Sequence, residues 1–296
     1  MTALKPLLRR GTGSSHIDCH EAVLYGCNFV RIQHAPDPPP MKFAACLAAV
    51  GLALTAPAAF AATCTSAHNE QYPSGRKPVL SNADLNEQTL SICYQDYNLY
   101  ASKVTGTNLW SAQHLTRAKV IGAESINRID SNFFSETGFP TKHASYTNSG
   151  YDRGHMMPAG DASTTPAQKE TFSVANIVPQ APKLNRGTWA RIESLVRTVA
   201  KEWDEAYIVT GPDFDDMNTT IASGAVVVPS QTWKAVYVPS AKVAAAYWCV
   251  NSDASSCSLI SLNELKRRAF VDPFPSLGTA LRAQTSADWT DILVLP

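Results

Sequence analysis

The feature that most limits how this chain can fold is an apolar segment that begins 40 residues into it. Residues Met41–Ala61 carry a single cation, a short apolar run over 43–54, a proline at position 57 and small residues around Phe60 at the end. The run is too short to span a bilayer, and the layout is typical of a secretory signal peptide. We therefore predict cleavage near Ala62, a folded domain within 62–296, and no membrane contact after cleavage.

The residues before this segment, 1–40, do not resemble the start of a signal peptide, because they are polar and contain both arginines and acidic residues. We interpret Met41 as the true start and 1–40 as translated upstream sequence or a non-structural extension. A cytoplasmic extension ahead of an uncleaved anchor is the alternative. Export predicts a location in the periplasm or outside the cell.

Composition changes when residues 1–61 are set aside. The whole chain has 25 cations against 25 anions, and 45% of its residues are hydrophobic. That apolar fraction excludes disordered, collagenous and coiled-coil proteins. Residues 62–296 have 20 cations against 22 anions, a formal charge of −2. The domain is therefore not coated in positive charge, as many nucleic-acid-binding proteins are.

Four of the seven cysteines lie after residue 61: Cys64, Cys93, Cys249 and Cys257. An even number in an exported protein favours two disulfides. Of the three pairings, we favour the local ones, Cys64–Cys93 and Cys249–Cys257. A metal site is the competing interpretation, but these cysteines lack a C-x-x-C spacing.

Apolar patterns predict both strands and helices. Period-two or continuous apolar runs predict strands at 119–125, 172–178, 206–210, 225–228, 233–238 and 244–250. Apolar residues at steps of three and four predict a helix over Gly187–Trp203. Ser261 and Glu264 have the spacing of a capping box and predict the start of a second helix. Because strands and helices do not alternate regularly, we predict a single mixed α+β domain over 62–296.

The segment Asp152-Arg-Gly-His155 is the first that carries recognisable chemistry. It combines an acid, a permanent cation, a flexible backbone position and the one side chain that titrates near neutral pH. An acid beside an arginine is by itself more often a solvated ion pair. Two later segments change that balance: Asn176-Ile-Val-Pro-Gln180, and Leu184-Asn-Arg-Gly-Thr-Trp-Ala-Arg-Ile-Glu193 at the start of the predicted helix.

These three segments, in this order, resemble the motifs of the DNA/RNA non-specific endonuclease family, the ββα-metal nucleases. Weaker resemblance extends from Cys93 to Asp272-Pro-Phe-Pro275 and so covers nearly all of residues 62–296. It implies a central antiparallel sheet and a ββα-metal motif. It also implies an enzyme that hydrolyses phosphodiester bonds of DNA and RNA without marked sequence specificity and leaves 5′-phosphate ends.

The resemblance implies roles for individual residues. His155 is the general base that takes a proton from water, as a neutral imidazole can do near physiological pH. Asn185 is the direct ligand of one Mg²⁺, for which Mn²⁺ can substitute, and such an ion keeps most of its waters. Glu193 binds the metal through water, because it lies eight residues further along the helix; a surface ion pair with Arg197 is the alternative. Asp152 orients a neighbouring group.

Five further assignments concern the substrate. Arg153 and Arg128 stabilise the charge that grows on the phosphoryl group. Asn176 orients the catalytic strand or contacts a phosphate, with a structural turn as the alternative. Arg186 and Arg191 bind the nucleic acid, although Arg186 could instead point to solvent.

Charge placement fits a polyanionic substrate. Residues 153–201 carry seven cations against three anions on an otherwise acidic domain, which suits phosphate binding without base reading. Two other functions remain as alternatives: a metal-dependent phosphoesterase acting on small substrates, and a non-catalytic secreted nucleic-acid-binding module. Beyond DNA and RNA, a homodimer and an inhibitor protein stay open as partners.

Overall fold

A seven-stranded antiparallel sheet organises the fold in a computed structural model of the chain. The structure describes residues 64–129, 132–254, 256–289 and 292–294. The predicted extension at 1–40 and the predicted signal peptide at 41–61 lie outside the described residues. Within the described ranges, none of the helices combines the length and apolarity that a membrane crossing requires.

The strands are β1 Val79–Leu80, β2 Thr89–Cys93, β3 Asn98–Ser102, β4 Thr107–Thr116, β5 Asp152–His155, β6 Ile177–Gln180, β7 Glu205–Asp213, β8 Thr220–Ile221, β9 Val226–Val227, β10 Gln231–Val238, β11 Val243–Val250, β12 Cys257–Ile260 and β13 Val271–Asp272. The α-helices are α1 Arg117–Glu124, α2 Thr165–Glu170, α3 Ala190–Glu202, α4 Leu262–Ala269 and α5 Thr279–Arg282. A π-helical turn, Leu184–Trp189, leads directly into α3.

The large sheet has the strand order β12-β11-β10-β7-β4-β3-β2, and each neighbouring pair is antiparallel. One face packs against α3, where Ile192 and Val196 are buried with Ile208 and Val236 of the sheet. The opposite face packs against α4. Burial on both faces explains why β10 and β11 have nearly continuous apolar sequences. The predicted α+β class with a central antiparallel sheet is confirmed.

Helix α3 follows from the spacing of its apolar residues. Ile192, Val196 and Val199 recur at steps of four and three and are buried, whereas Arg191 and Ser194 are exposed. The predicted helix over 187–203 is therefore confirmed in its main part. Its first residues belong to the π-helical turn.

Predicted strands at 206–210, 225–228, 233–238 and 244–250 are confirmed as parts of β7, β9, β10 and β11. The prediction at 172–178 is correct only at its end, because β6 begins at Ile177 after a short 3₁₀ turn, Val174–Asn176. The second predicted helix is α4, and the side chain of Ser261 accepts a hydrogen bond from the backbone N–H of Glu264.

The predicted strand at 119–125 is wrong, because these residues belong mostly to α1. The side chain of Thr116 accepts a hydrogen bond from the backbone N–H of Lys119 at 3.2 Å and caps the helix. Of the apolar residues in this segment, Val120 is buried while Ile121 is exposed. The apolar residues of this segment therefore contribute to one narrow face of a helix and do not form a strand.

Both predicted disulfides are present. Cys64–Cys93 ties the first described residue to the end of β2, and Cys249–Cys257 joins the neighbouring strands β11 and β12. The second disulfide closes a loop whose described residues are 250–254 and 256, and Asn251 and Asp253 of this loop bond the residues that follow β6. We call this segment the disulfide loop.

Candidate active site

The Asp152–His155 motif forms β5, one strand of a small hairpin with β6. Alternation along the strand places Arg153 and His155 on one side, where both lie close to Phe133. Asp152 points the other way, towards Asn185. Gly154 is required by packing, because a Cβ atom at this position would lie 2.6 Å from Cβ of Gln180.

Three sheet side chains hold the residues around this hairpin in place. The bonds are Ser111 Oγ to Asn176 Oδ1 (2.8 Å), Gln113 Nε2 to Asp161 Oδ2 (2.7 Å) and Gln180 Nε2 to Thr232 Oγ1 (3.3 Å). All six residues are buried, so each bond satisfies polar groups that water cannot reach. We call these six residues the anchor row. They attach the site directly to strands β4 and β10.

His155 lies in an aromatic pocket. Its ring centroid is 5.6 Å from that of Phe133 and 5.3 Å from that of Phe172. Nε2 is enclosed and makes no hydrogen bond with any described residue. Burial lowers the pKa of His155 to about 3, and the positive charge of Arg128 acts in the same direction. The imidazole is therefore neutral at physiological pH.

Two arginines share this side of the hairpin. The guanidinium of Arg153 stacks over the rings of Phe133 and Tyr146 at 5.3 and 5.7 Å. That of Arg128 lies 5.8 Å from the centroid of Phe172. The structure thus brings Arg128, which lies 27 residues before His155 in the sequence, into the same aromatic pocket.

Asp152 links the hairpin to the π-helical turn. Its Oδ2 accepts hydrogen bonds from Asn185 Nδ2 at 2.9 Å and from Arg186 Nε at 2.7 Å, and its Oδ1 accepts one from Arg186 at 2.5 Å. Burial raises the pKa of Asp152, but these hydrogen bonds and the charge of Arg186 outweigh it and leave the pKa below its ordinary value. Asp152 is therefore charged at neutral pH.

The carboxylate of Asp152 can only accept hydrogen bonds, so the NH₂ group of Asn185 must face it. This leaves Oδ1 of Asn185 as the amide atom that can bind a cation. Among the described residues, no three His, Cys, Asp or Glu side chains cluster as a metal site. A single neutral oxygen donor fits Mg²⁺, which retains several waters and accepts other oxygens from its substrate.

Glu193 lies on α3 and points into a partly buried, highly charged environment. Burial raises the pKa of Glu193 to about 7, against the opposing positive charge of Lys234. Lys234 itself is fully buried, donates from Nζ to Thr210 Oγ1 at 2.7 Å and lies 5.2 Å from the ring centroid of Trp189. A bound cation would add a second positive charge to stabilise the carboxylate.

A model of the DNA/RNA non-specific endonucleases matches residues 79–272, a range that includes all three motifs and every site residue named above. The chain belongs to the DNA/RNA non-specific endonuclease family. The family predicted from the motifs is thereby confirmed.

Nucleases similar to this chain occur in organisms that are distant from one another. Nuclease C1 of Cunninghamella echinulata var. echinulata is 35% identical over 145 residues, covering 44% of this chain and 58% of that protein. A nuclease of Nostoc sp. is 33% identical over 168 residues, covering 56% and 59%. The chain therefore spans less than two thirds of the length of these curated relatives. The crystal structure of an EndoG/EndoGI complex aligns with a TM-score of 0.58 and 25% identity, over 64% of this chain and 88% of that one.

Asn176 is held by hydrogen bonds from several sides beneath this site. Its amide nitrogen donates to the carbonyls of Met157 and Thr171, and its Oδ1 accepts from the backbone N–H of Met157 and from Ser111. Because the side chain is fully buried and so bonded, it cannot contact a phosphate. Its contacts fit the first of the roles predicted for it, in which it orients the strand that carries His155.

The two arginines predicted to bind nucleic acid have different surroundings. Arg186 is paired with Asp152 on both carboxylate oxygens, although 73% of its side chain is exposed. Arg191 is exposed and donates to Thr188 Oγ1, one turn earlier, at 3.3 Å. Arg191 is therefore the more available of the two for a phosphate, and substrate binding by both stays a prediction.

The charged side chains around Glu193 were not predicted from the sequence. Arg197 donates to Asp161 at 2.8 Å, so it does not form the surface ion pair with Glu193 that was the alternative interpretation. Asp161 is buried and is also bonded by Gln113. A lysine inside the apolar sequence of β10 was the one available signal for Lys234, because a charge in a buried strand needs a partner.

Proposed function

We propose that this protein is an exported, metal-dependent endonuclease that hydrolyses phosphodiester bonds of DNA and RNA without marked sequence specificity. One observation carries the proposal: a single hairpin holds a neutral histidine, His155, on one side and on the other an aspartate that orients the oxygen of Asn185 outward. Phosphate binding alone requires neither feature.

His155 acts as the general base in this proposal. An imidazole nitrogen accepts the proton of a water molecule as the water oxygen attacks phosphorus. The bond from phosphorus to the 3′ oxygen breaks, so the products are a 5′-phosphate and a 3′-hydroxyl. The low pKa of His155 keeps the imidazole unprotonated before the reaction. The aromatic rings around it restrict its orientation.

Arg153 and Arg128 neutralise the negative charge that grows on the phosphoryl oxygens. Arg153 is partly fixed before substrate arrives, since it stacks on two rings and donates to the carbonyl of His143 at 3.2 Å. Preorganised donors of this kind stabilise a transition state without reorganising during the reaction. Arg191 and Arg186 would contact neighbouring phosphates along α3 and the turn before it.

Asn185 would bind Mg²⁺ directly through Oδ1, and Glu193 would hold one of the waters of the ion. When bound, Mg²⁺ supplies positive charge to the departing 3′ oxygen and to the phosphate. Mn²⁺ prefers similar oxygen ligands and is expected to substitute. Asp152 fixes the amide of Asn185 and does not itself reach the cation in this proposal.

Export and partners are part of the same proposal. Two disulfides require an oxidising compartment to form, which fits a signal peptide at 41–61 and release into the periplasm or medium. The aligned EndoG structure contains EndoGI and is described as a mechanism of EndoG inhibition. An inhibitor protein is therefore a reasonable partner to test for this chain as well.

Purified protein should be incubated with plasmid DNA and with ribosomal RNA, in Mg²⁺, in Mn²⁺ and in EDTA. Cleavage of both substrates with either metal and none with EDTA is the expected result. Product ends should be substrates for a ligase that requires 5′-phosphates. Failure to cut either nucleic acid with either metal would contradict the proposal, whereas cleavage of a small phosphodiester alone would favour a phosphoesterase.

A further inference from the structure

A cavity of about 400 Å³ lies beside the proposed metal-binding turn. Three chain segments line it: residues 150–151 before β5, residues 181–182 after β6, and residues 251–253 of the disulfide loop. None of the roles proposed above uses this cavity. Its lining residues are nevertheless close in sequence to the proposed site. Asp152 directly follows Tyr151, and Asn185 lies three residues after Pro182.

The walls of the cavity are held in place by hydrogen bonds to the backbone. Asn251 accepts from the N–H of Ala181 at 2.8 Å and donates to the carbonyls of Pro179 and Pro229 at 3.0 and 2.8 Å. Asp253 Oδ1 accepts from the N–H of Lys183 at 3.1 Å. The disulfide closes the loop behind these contacts. The cavity is therefore formed before any ligand binds.

The lining chemistry excludes a phosphate. No lysine or arginine is among the described residues that line the cavity, and the exposed carboxylate of Asp253 would repel an anion. The other lining residues include Tyr151, Pro182 and Ser252, which by type carry an aromatic ring, an apolar ring and a hydroxyl. Oδ2 of Asp253 makes no hydrogen bond with any described residue and can accept one. A flat group that carries N–H donors fits this lining.

A nucleobase has these properties. Bases stack on aromatic and other flat apolar side chains, and carboxylates accept from exocyclic amino groups and ring N–H groups at base edges. Two exposed cations, Lys183 and Arg186, lie next in the chain but outside the lining. They are suited to the phosphates on either side of a base that enters the cavity.

We propose that this cavity is a base-binding subsite for a nucleotide beside the cleaved phosphodiester, with Asp253 accepting from the base edge and Tyr151 contacting its face. The proposal rests on the nuclease activity proposed above. It gives the enzyme a modest bias among bases that carry an amino donor, superimposed on binding through phosphates.

The test compares cleavage positions and not total activity. Single-stranded DNA with random sequence is partly digested by the full-length protein in Mg²⁺, and the base frequencies on both sides of each cut are sequenced. We expect the wild-type protein to favour an amino-bearing base at one position near the cut by about fivefold, the low end for base-edge contacts. Asp253→Asn should remove most of that bias. Asp84→Asn, at an exposed site in a turn after β1, is the matched control and should retain it.

A chemical substitution in the substrate tests the same contact without altering the fold. A defined oligonucleotide carries the favoured base, or an analogue that lacks its amino group, at the selected position. The analogue should slow cleavage by the wild-type protein about fivefold and leave Asp253→Asn unaffected. Tyr151→Leu should lower affinity for the oligonucleotide more than Tyr151→Phe does.

The outcomes separate the two proposals. If wild-type protein cuts nothing, the nuclease proposal has failed. If it cuts well but the bias is absent, or is identical in wild type and Asp253→Asn, the subsite proposal is wrong while the nuclease proposal stands.

Discussion

The side-chain NH₂ group of Asn185 donates a hydrogen bond to Asp152 Oδ2 at 2.9 Å, and the guanidinium of Arg186 donates to both oxygens of the same carboxylate. This hydrogen bond leaves Oδ1 of Asn185 as the amide atom available to the proposed metal ion. It also gives Asp152 a proposed role, the orientation of Asn185, that needs no contact with substrate. The contact between β5 and the π-helical turn is therefore the first to test.

Replacing Asp152 by asparagine should weaken Mg²⁺ binding, because an amide can accept or donate and no longer forces the orientation of Asn185. Loss of such an orienting partner typically reduces metal affinity or activity by about 10- to 100-fold. Mg²⁺ titration of cleavage, or calorimetry with Mg²⁺, measures the effect. Asp204→Asn, which loses an exposed ion pair with Arg117, is the control. Equal Mg²⁺ dependence in the two variants would contradict the assigned orientation.

Replacing His155 by alanine should lower the rate of cleavage by about 10² to 10⁴-fold, the usual contribution of a general base. Mg²⁺ binding should change little, because His155 is not a proposed ligand of the ion, whereas the thermal unfolding midpoint should fall modestly because the ring's packing on Phe133 and Phe172 is lost. His68→Ala, near the first described residue, should keep full activity. A drop of less than tenfold in His155→Ala would show that another group takes the proton.

The pH dependence should follow Glu193 and not His155. Glu193, with a pKa raised to about 7, loses its charge as pH falls through neutrality, whereas His155, with a pKa lowered to about 3, stays neutral. Activity at low Mg²⁺ should therefore fall below about pH 7. Higher Mg²⁺ should move this fall to lower pH, because the cation competes with the proton. Profiles of kcat/KM at several Mg²⁺ concentrations test this, and Glu193→Gln should abolish the step. A midpoint independent of Mg²⁺ would count against the assignment.

Gly154→Ala should destabilise the protein, because the new Cβ would lie 2.6 Å from Cβ of Gln180 in the anchor row. Overpacking of this kind costs about 1–3 kcal/mol, and the displaced β5 should also lose activity. Urea unfolding measures the first effect. Gly278→Ala is the control, since no atom lies within 4 Å of its added Cβ. Similar unfolding curves for both variants would mean that the hairpin adapts easily.

Asn251→Ala should reduce both stability and activity, because one backbone N–H and two carbonyls lose their partner at once. An unsatisfied buried polar group costs about 1–3 kcal/mol, and the affected residues lead into the turn that carries Asn185. Asn263→Ala, on the exposed face of α4, provides the comparison. If the two variants unfold alike, the disulfide loop does not brace the site.

The sequence indicates candidate site residues more directly than it indicates the strands of the sheet. The motifs named His155, Arg153, Asn185 and Glu193 in the order in which β5, the π-helical turn and α3 present them. Motif residues stay recognisable because chemistry restricts their identity. Strands have no such restriction, and they are inferred from the alternation of apolar with polar residues.

That alternation fails in β4, which was not predicted as a strand. Its residues facing the site include Ser111 and Gln113, both buried and polar because they bond Asn176 and Asp161. A strand with polar residues on both faces has the pattern of an exposed loop. The environment that buries them comes from distant segments, so local sequence cannot reveal it. For the same reason, local sequence does not reveal the charged residues from distant segments that surround Glu193.

The anchor row joins the chemistry to the core. Because its six side chains are buried and bonded in pairs between the sheet and the site, neither half can loosen without leaving unsatisfied groups in the other. Among the described residues, the proposed site is thus coupled to the sheet and should not unfold before it. Heat and denaturant should abolish activity and unfold the sheet in one cooperative transition.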